Sequence, residues 1–545
     1  MVDAGEERAS TPMGRGSTHA DPEPVVQGTS RTISLGPRRR PRSRQAAVIT
    51  AGALALGVAV AACGGPSTPG AATALTTTGV PGGGGSQATG LAAYTLCMRA
   101  HGVANFSPHP TSSVGIPKRN RHHESLQQLK VTKSHFLAAR KACEPLLPAG
   151  ATGGGPSGAL APKAGPFYRW SGPLAHDVPG TVLRSRTIAL PDVGATRPVR
   201  AAQLLYVTTD ELGRRTVSVA TVLQPGAKAA PPAPRLVSYQ AAYDALGTQC
   251  DPSYTLRLGA STAAPVLPYL AAGDTVVSAD FEGEDLAFGA GQQGGYEALD
   301  AIRAAETWLG AAEASMPVGM VGYSGGSVPT EFASELAPTY APHLDIVGVA
   351  EGGIPVDLFH NLAYVDHPAS SWNWVIPVHL VGLARGFGLK HLASYLTAKG
   401  SAVVRSDETR CVGGFDGLTT AQLFKPQYRD IEKDPVLARM IDHVIMGRTG
   451  TPRGPLFMGV GLSGPTGDGV IVTKDVQGLA HTYCERKVPV ELHIYTGLDH
   501  RQAAAPFLSE AQSFLAQRFE NLPFHNACAG IGPGNSIAPV PVPPS

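Results

Sequence analysis

From about residue 166 to 530, short apolar runs alternate with longer mixed stretches. Leu236 to Tyr239, Thr275 to Ala279, Val318 to Val321, Ile346 to Ala350, Leu456 to Val460 and Val490 to Tyr495 read as strands. Tyr296 to Ala305 and Ser327 to Leu336 read as helices between them. Strands and helices that alternate in this way build a largely parallel sheet covered on both faces, so the fold class is α/β. Functional groups of such a sheet gather beyond the carboxyl ends of its strands.

Outside that region the pattern changes. Arg38, Arg39, Arg40, Arg42 and Arg44 precede an uncharged stretch from Ala46 to Ala62, which has the length and glycine content of a signal-peptide core. It ends in Val60-Ala61-Ala62-Cys63-Gly64, which resembles a bacterial lipobox with Cys63 as the lipidated residue. An uncleaved anchor, or ordinary cleavage near the alanine pair, is the alternative. The stretch ahead of the arginines is long for a signal, and Met13 is an alternative start. Residues 1–63 thus read as a signal and lipobox segment, and 64–90, uncharged and rich in Gly, Ser, Thr, Ala and Pro, as a flexible linker. Residues 91–149 read as a small helical module, similar to one common in actinobacterial lipoproteins. Residues 150–165 read as a second linker, 166–530 as the main domain and 531–545 as a disordered tail.

A net charge of +2 with 16% charged residues gives no footprint for nucleic acid. Seven cysteines are present. With Cys63 lipidated, six remain, an even number that suits an oxidising compartment and allows about 15 pairings. Two short helices in 91–149 need a staple, which a Cys97–Cys143 disulfide would provide. No cysteine or histidine spacing has the form of a metal site, and His122-His123 beside basic residues reads as solvated. No metal or cofactor is expected.

The candidate chemistry centres on Gly322-Tyr323-Ser324-Gly325-Gly326, which follows one strand and opens one helix. A serine hydroxyl needs a base and an exposed, fixed position to act as a nucleophile. A Gly-x-Ser-x-Gly turn between strand and helix supplies that position. In a chain with 65 glycines the five residues alone say little; their placement says more. A nucleophilic serine requires a histidine base and an acid that fixes the imidazole tautomer. The last strand runs into Leu498-Asp499-His500, which makes His500 the base. The strand before it runs into Gly467-Asp468-Gly469, which makes Asp468 the acid. Asp499 is too close in sequence to reach its neighbour's ring, and Asp475 falls inside the next helix.

These residues support a resemblance. Gly322 to Gly326, Asp280-Phe281-Glu282-Gly283, Gln292 to Ala304, and Ser238-Tyr239-Gln240 with Cys250-Asp251-Pro252-Ser253-Tyr254 resemble the secretory lipase family of yeast triacylglycerol lipases and their actinobacterial relatives. The resemblance spans roughly 166–530. It implies an α/β-hydrolase with a helical cap at about 355–450, inserted after the strand that follows the nucleophile helix. It implies a triad of Ser324, Asp468 and His500, and an oxyanion hole from the backbone N–H groups of Gly325 and Asp244. It suggests disulfides Cys250–Cys411 and Cys484–Cys528. The apolar cap residues, among them Trp372, Trp374, Ile376, Leu380 and Leu383, then serve core packing, an acyl tunnel, or both on different faces.

The expected activity is hydrolysis of acyl esters, acylglycerols first, by an exported protein held to the outer membrane face by a lipid on Cys63 or released. The rivals are acyl transfer to a cell-envelope alcohol and a non-catalytic envelope-binding scaffold.

Overall fold

The structure, a computed structural model, describes residues 165–542 apart from 175, 191–197, 227–233, 259–260 and 312–315, together with the isolated positions 101, 103, 135 and 138. The signal and lipobox with Cys63, the linker 64–90, and Cys97 and Cys143 lie outside the described residues.

Among the described residues, nine strands form one sheet in the order β1-β2-β3-β5-β4-β6-β7-β8-β9. They are β1 (Val182–Ile188), β2 (Val199–Thr209), β3 (Arg215–Pro225), β4 (Leu236–Gln240), β5 (Thr275–Ala279), β6 (Pro317–Tyr323), β7 (Asp345–Gly352), β8 (Leu456–Leu462) and β9 (Val490–Thr496). The strands from β4 to β9 are parallel to one another, as the alternating pattern implies. The first three are an antiparallel meander joined to the sheet through β5, so the sheet is mixed.

Successive side chains of a strand face opposite ways. In β6, Val318 and Met320 belong to one core and Val321 and Tyr323 to another. The first core takes helices α1 (Gly291–Leu309), α2 (Ser327–Tyr340) and, after the cap, α7 (Thr473–Glu485); the second takes α8 (His500–Phe519) through Phe507, Phe514 and Leu515. Phe332, Tyr483 and Phe507 are essentially inaccessible, and burying an aliphatic or aromatic side chain of this kind stabilises by about 1.5–3 kcal/mol each.

Between β7 and β8 the chain leaves the sheet for residues 353–455. This insertion carries helices α3 (Leu358–Val365), α4 (Val375–Gly386), α5 (Ala398–Asp407) and α6 (Pro435–His443). Asp357 caps α3 by accepting the Phe359 and His360 N–H groups, and Asp434 caps α6 with Pro435 at its first position. Helix α4 is buried on nearly every side, since it faces both the sheet domain and the other insertion helices.

One expectation is corrected. The described part of 531–545 is not a disordered tail. The Asn535 N–H donates to the Lys474 carbonyl at 2.8 Å, and its side-chain amide donates to Asp475 Oδ1 at 2.7 Å. Ile531, Ile537, Val540 and Val542 pack against the core. Gly and Pro prevent a regular element here, but the four branched apolar side chains between them still have surface to cover.

Candidate active site

Ser324 stands immediately after β6, at the start of a short 3-10 turn that leads into α2. Its φ is +57°, a left-handed conformation that costs a side-chain-bearing residue on the order of 1–3 kcal/mol. The surrounding fold forces it. A Cβ on Gly326 would collide with the carbonyl oxygen of Gln240 at the end of β4, so strand and turn approach closer than any other residue permits.

His500 is the first residue of α8. Asp499 caps that helix by accepting the Arg501 and Gln502 N–H groups, while the Gln502 side chain returns to the Asp499 N–H. This is the structural role of Asp499. The cap fixes where the helix begins and so where the imidazole stands. His500 Nε2 lies 2.7 Å from Ser324 Oγ, and Nδ1 lies 2.8 Å from Asp468 Oδ2. A carboxylate only accepts, so Nδ1 carries the hydrogen and Nε2 accepts from the serine hydroxyl.

Asp468 is completely buried in the turn after β8. Its Oδ1 accepts the N–H groups of Val470 at 3.1 Å and Ile471 at 2.8 Å, and its carbonyl accepts the His500 N–H at 2.9 Å. The glycine content of the segment ahead of it has a reason. A Cβ on Gly461 would stand 2.8 Å from the Cβ of Asp468 and 2.6 Å from the Leu498 carbonyl, so acid turn and base turn converge on a bare backbone. Asp475, the other nearby carboxylate, is the third residue of α7 and receives hydrogen bonds from Asn535 and His360 instead.

Asp244 lies in the loop after β4 with φ +39°. A Cβ on Gly325 would collide with its Oδ1, so Asp244 and Gly325 are direct neighbours beside the serine. Among the described residues, Oδ1 has no hydrogen-bond partner. Burial pushes the Asp244 carboxyl up to about 6, and the nearby His500 pulls in the other direction.

Several supports have roles that the sequence did not disclose. Glu282, inside the quoted Asp-Phe-Glu-Gly motif, is fully buried, and its carboxylate oxygens accept the Ala245 N–H at 3.1 and 3.2 Å. The Glu282 N–H donates to the Tyr243 hydroxyl at 2.7 Å. Asp244 is thus clamped on both sides. Burial drives the Glu282 carboxyl far above the usual range. From α4, Arg385 donates to the carbonyls of Leu246 at 3.2 Å and Leu286 at 3.4 Å, which ties the insertion to the Asp244 loop. The Tyr323 hydroxyl donates to the His500 carbonyl at 2.6 Å. Trp372 of the insertion stands edge-to-face against the His500 ring.

Disulfides join Cys250 to Cys411 and Cys484 to Cys528. The first links the Asp244 side of the site to the insertion. The second fastens the chain beyond α8 to α7.

The mixed sheet with its parallel run from β4 to β9, the serine at the sharp turn after β6, and Asp468 and His500 after β8 and β9 define an α/β-hydrolase. The chain belongs to the Secretory lipase family, whose family model matches residues 252–527. A Mycobacterium tuberculosis protein described as a probable inactive lipase is 42% identical over 212 residues, which is 37% of this chain and 47% of that one. The match therefore spans only about half the length of that relative. Lipase A of Arthroderma benhamiae is 28% identical over 395 residues, 68% of this chain and 82% of that one. Among solved structures, Candida antarctica lipase A in its closed state superposes with a TM-score of 0.62 at 25% identity, covering 71% of this chain and 92% of that one.

Proposed function

We propose that this protein is a serine ester hydrolase of the lipase type that cleaves acyl esters, acylglycerols among them, through Ser324, His500 and Asp468. The observation that carries this reading is the unbroken hydrogen-bonded chain from Asp468 to His500 to Ser324, with the serine held at a positive φ.

His500 Nε2 takes the hydroxyl proton as Ser324 Oγ attacks the ester carbonyl. The carbonyl oxygen becomes an oxyanion beside Gly325 and Asp244, where backbone N–H donors act. One such donor contributes about 2.7–4 kcal/mol in an acyl-transfer enzyme. The proton passes to the leaving alcohol, and an acyl-enzyme remains. Water, or another alcohol, releases the acyl group by the reverse sequence.

The family and the disulfides support export, and Cys63 would hold the mature protein to the membrane by lipid. No helix among the described residues is long and apolar enough to cross a membrane. Metabolic labelling with palmitate should mark the wild type and not Cys63→Ala. The hydrolase reading is tested by covalent labelling with an active-site serine phosphonate and by turnover of p-nitrophenyl acetate. Absence of both would end it.

A further inference from the structure

Asp244 brings a carboxyl as well as a backbone N–H to the serine turn. It is 6% exposed, and its backbone is held at φ +39°, which fixes where the side chain leaves the loop. A Cβ on Gly325 would collide with Oδ1 and would stand 3.3 Å from the Phe288 ring. Oδ1 therefore lies against the bare Cα of Gly325, on a face whose other neighbour is apolar. Among the described residues Oδ1 receives no hydrogen bond. The other buried carboxyls of the site are different. Asp468 accepts the N–H groups of Val470 and Ile471, and Glu282 accepts that of Ala245. A buried carboxylate oxygen without a donor costs free energy, and an apolar residue would avoid that cost.

Charge makes the position harder still to explain as a carboxylate. The oxyanion forms beside Gly325, and a second negative charge close by in a low dielectric would oppose it strongly. A neutral carboxyl removes that conflict, and its O–H can donate. Burial raises the Asp244 carboxyl to about 6, with His500 pulling the other way, so the neutral form is populated in mildly acidic solution. His500 faces it across the site. Glu282 stands behind the loop with Tyr243, and burial keeps both neutral. Arg385 reaches in from α4 to the Leu246 and Leu286 carbonyls. Asp251 and Asp280 act on Tyr243 from its other side.

We infer that the Asp244 carboxyl is a third donor of the oxyanion hole and a catalytic residue: protonated, it donates its O–H to the ester carbonyl oxygen as that oxygen becomes negative, beside the backbone N–H groups of Gly325 and Asp244. The inference rests on the ester-hydrolase reading and adds a residue to it. No proton leaves Asp244. The Ser324 proton still goes to His500 Nε2 and from there to the leaving alcohol, while the Asp244 O–H bond to the oxygen strengthens as charge builds and weakens as the carbonyl re-forms. Catalysis then needs two neutral groups of opposite kind, His500 without its second proton and Asp244 with its only one. Activity therefore declines as Asp244 ionises.

The test is the pH profile of kcat/KM for p-nitrophenyl acetate with the full chain, in the wild type, Asp244→Asn and Asp244→Ala, with melting temperature measured in the same buffers. The wild-type value should fall between pH 6 and 8. Asp244→Ala should be about a hundredfold below wild type at pH 5, the loss typical of one oxyanion donor, and should show no such fall. Asp244→Asn keeps an N–H donor at every pH. It should lie between the other two at pH 5 and also lack the fall. A wild-type value that does not fall, a fall that survives in Asp244→Asn, or an Asp244→Ala protein equal to wild type at pH 5 would overturn the inference. Should neither variant fold, the wild type decides through a trifluoromethyl ketone, whose adduct with Ser324 is an oxyanion. Its affinity should weaken over the same pH range, and constant affinity would overturn the inference. A wild type that turns over no p-nitrophenyl acetate at any pH refutes the hydrolase reading and this inference with it, whereas turnover without the fall refutes the inference alone.

Discussion

Trp372 and His500 come from different parts of the chain and meet ring to ring, their centroids 5.1 Å apart and their planes at 86°. The tryptophan belongs to the insertion and the histidine to the sheet domain. Arg501, the next residue along α8, lies over the same indole at 4.7 Å, a cation–π contact worth about 0.5–1 kcal/mol where exposed. The His500 ring is thus walled by the insertion and is only 3% exposed.

Removing this wall should reach the base without touching its hydrogen bonds. Trp372→Ala should lower kcat for a short soluble ester by about tenfold, because the imidazole gains freedom and water, while KM changes little. Trp372→Phe should recover most of the loss. Tryptophan fluorescence should shift when a serine-directed inhibitor binds the wild type. Equal kcat in all three proteins would mean that Trp372 only covers the site.

The catalytic assignments are separable by substitution. Ser324→Ala should abolish ester hydrolysis, by at least about a thousandfold, with melting temperature nearly unchanged, since triad members act as a unit. His500→Ala should be nearly as severe. Asp468→Asn should be more damaging to kcat than Asp475→Asn, whose loss should show in stability because Asp475 anchors Asn535. If the order is reversed, the acid has been misplaced.

How much of this was legible in the sequence follows from which groups are buried with what. Strands β4 to β9 were legible because each is a short, mainly apolar run, or in β9 an alternation of Val490, Leu492 and Ile494 with polar neighbours. Strands β2 and β3 were not, because polar residues interrupt them while being equally buried. Gln203 takes bonds from Arg186 and gives one to the Ser253 carbonyl, and Thr208 donates to Asp300 at 2.8 Å. Such residues look like surface until their partners are known. Ser324, Asp468 and His500 were readable because each follows a readable strand. Glu282 and Trp372 stood out, the one in a quoted motif and the other among the apolar insertion residues, but their roles and that of Arg385 did not, because their partners lie far along the chain and no local spacing encodes them. The Gly/Pro-rich end misled for the opposite reason. Its composition reported on secondary structure, whereas its docking depends on four scattered apolar residues.

Stability should fall as pH rises through the neutral range. Glu211 is buried, accepts the Gln293 N–H at 2.7 Å and has its carboxyl pushed up to about 8 by burial, with Asp210 adding to the effect and the backbone bonds opposing it. The folded state therefore holds a proton that an unfolded glutamate, near 4.5, has released. Stability contributed by this group is whole below about 4.5 and declines up to about 8, and on the order of 3 kcal/mol is lost by pH 7. Melting temperature should drop between pH 5 and 8 in the wild type. Glu211→Gln should make that slope shallower without abolishing it, since burial also raises other carboxyls, among them those of Asp280 and Glu351. An identical slope in both proteins would place the dependence elsewhere.

The Cys250–Cys411 disulfide spans 161 residues of sequence and ties the loop after β4 to the insertion. Gln249 makes a second link beside it, donating to the Thr409 carbonyl at 2.6 Å. Closing a loop of that length removes unfolded-state entropy worth about 5 kcal/mol in the chain-entropy picture. Cys411 stands in the middle of the insertion, away from the serine, and the segment after it packs on the start of α4, where Phe415 stacks on Trp374 at 5.4 Å. The double variant Cys250→Ser/Cys411→Ser should therefore melt several degrees lower, while turnover of a short ester at low temperature stays within about twofold. Long-chain and short-chain esters should be affected alike if the link is only a staple. A selective loss on long chains would show that it also sets how the insertion covers the site. Non-reducing peptide mapping is the first check, and Cys250 found joined to Cys484 or Cys528 would overturn the arrangement.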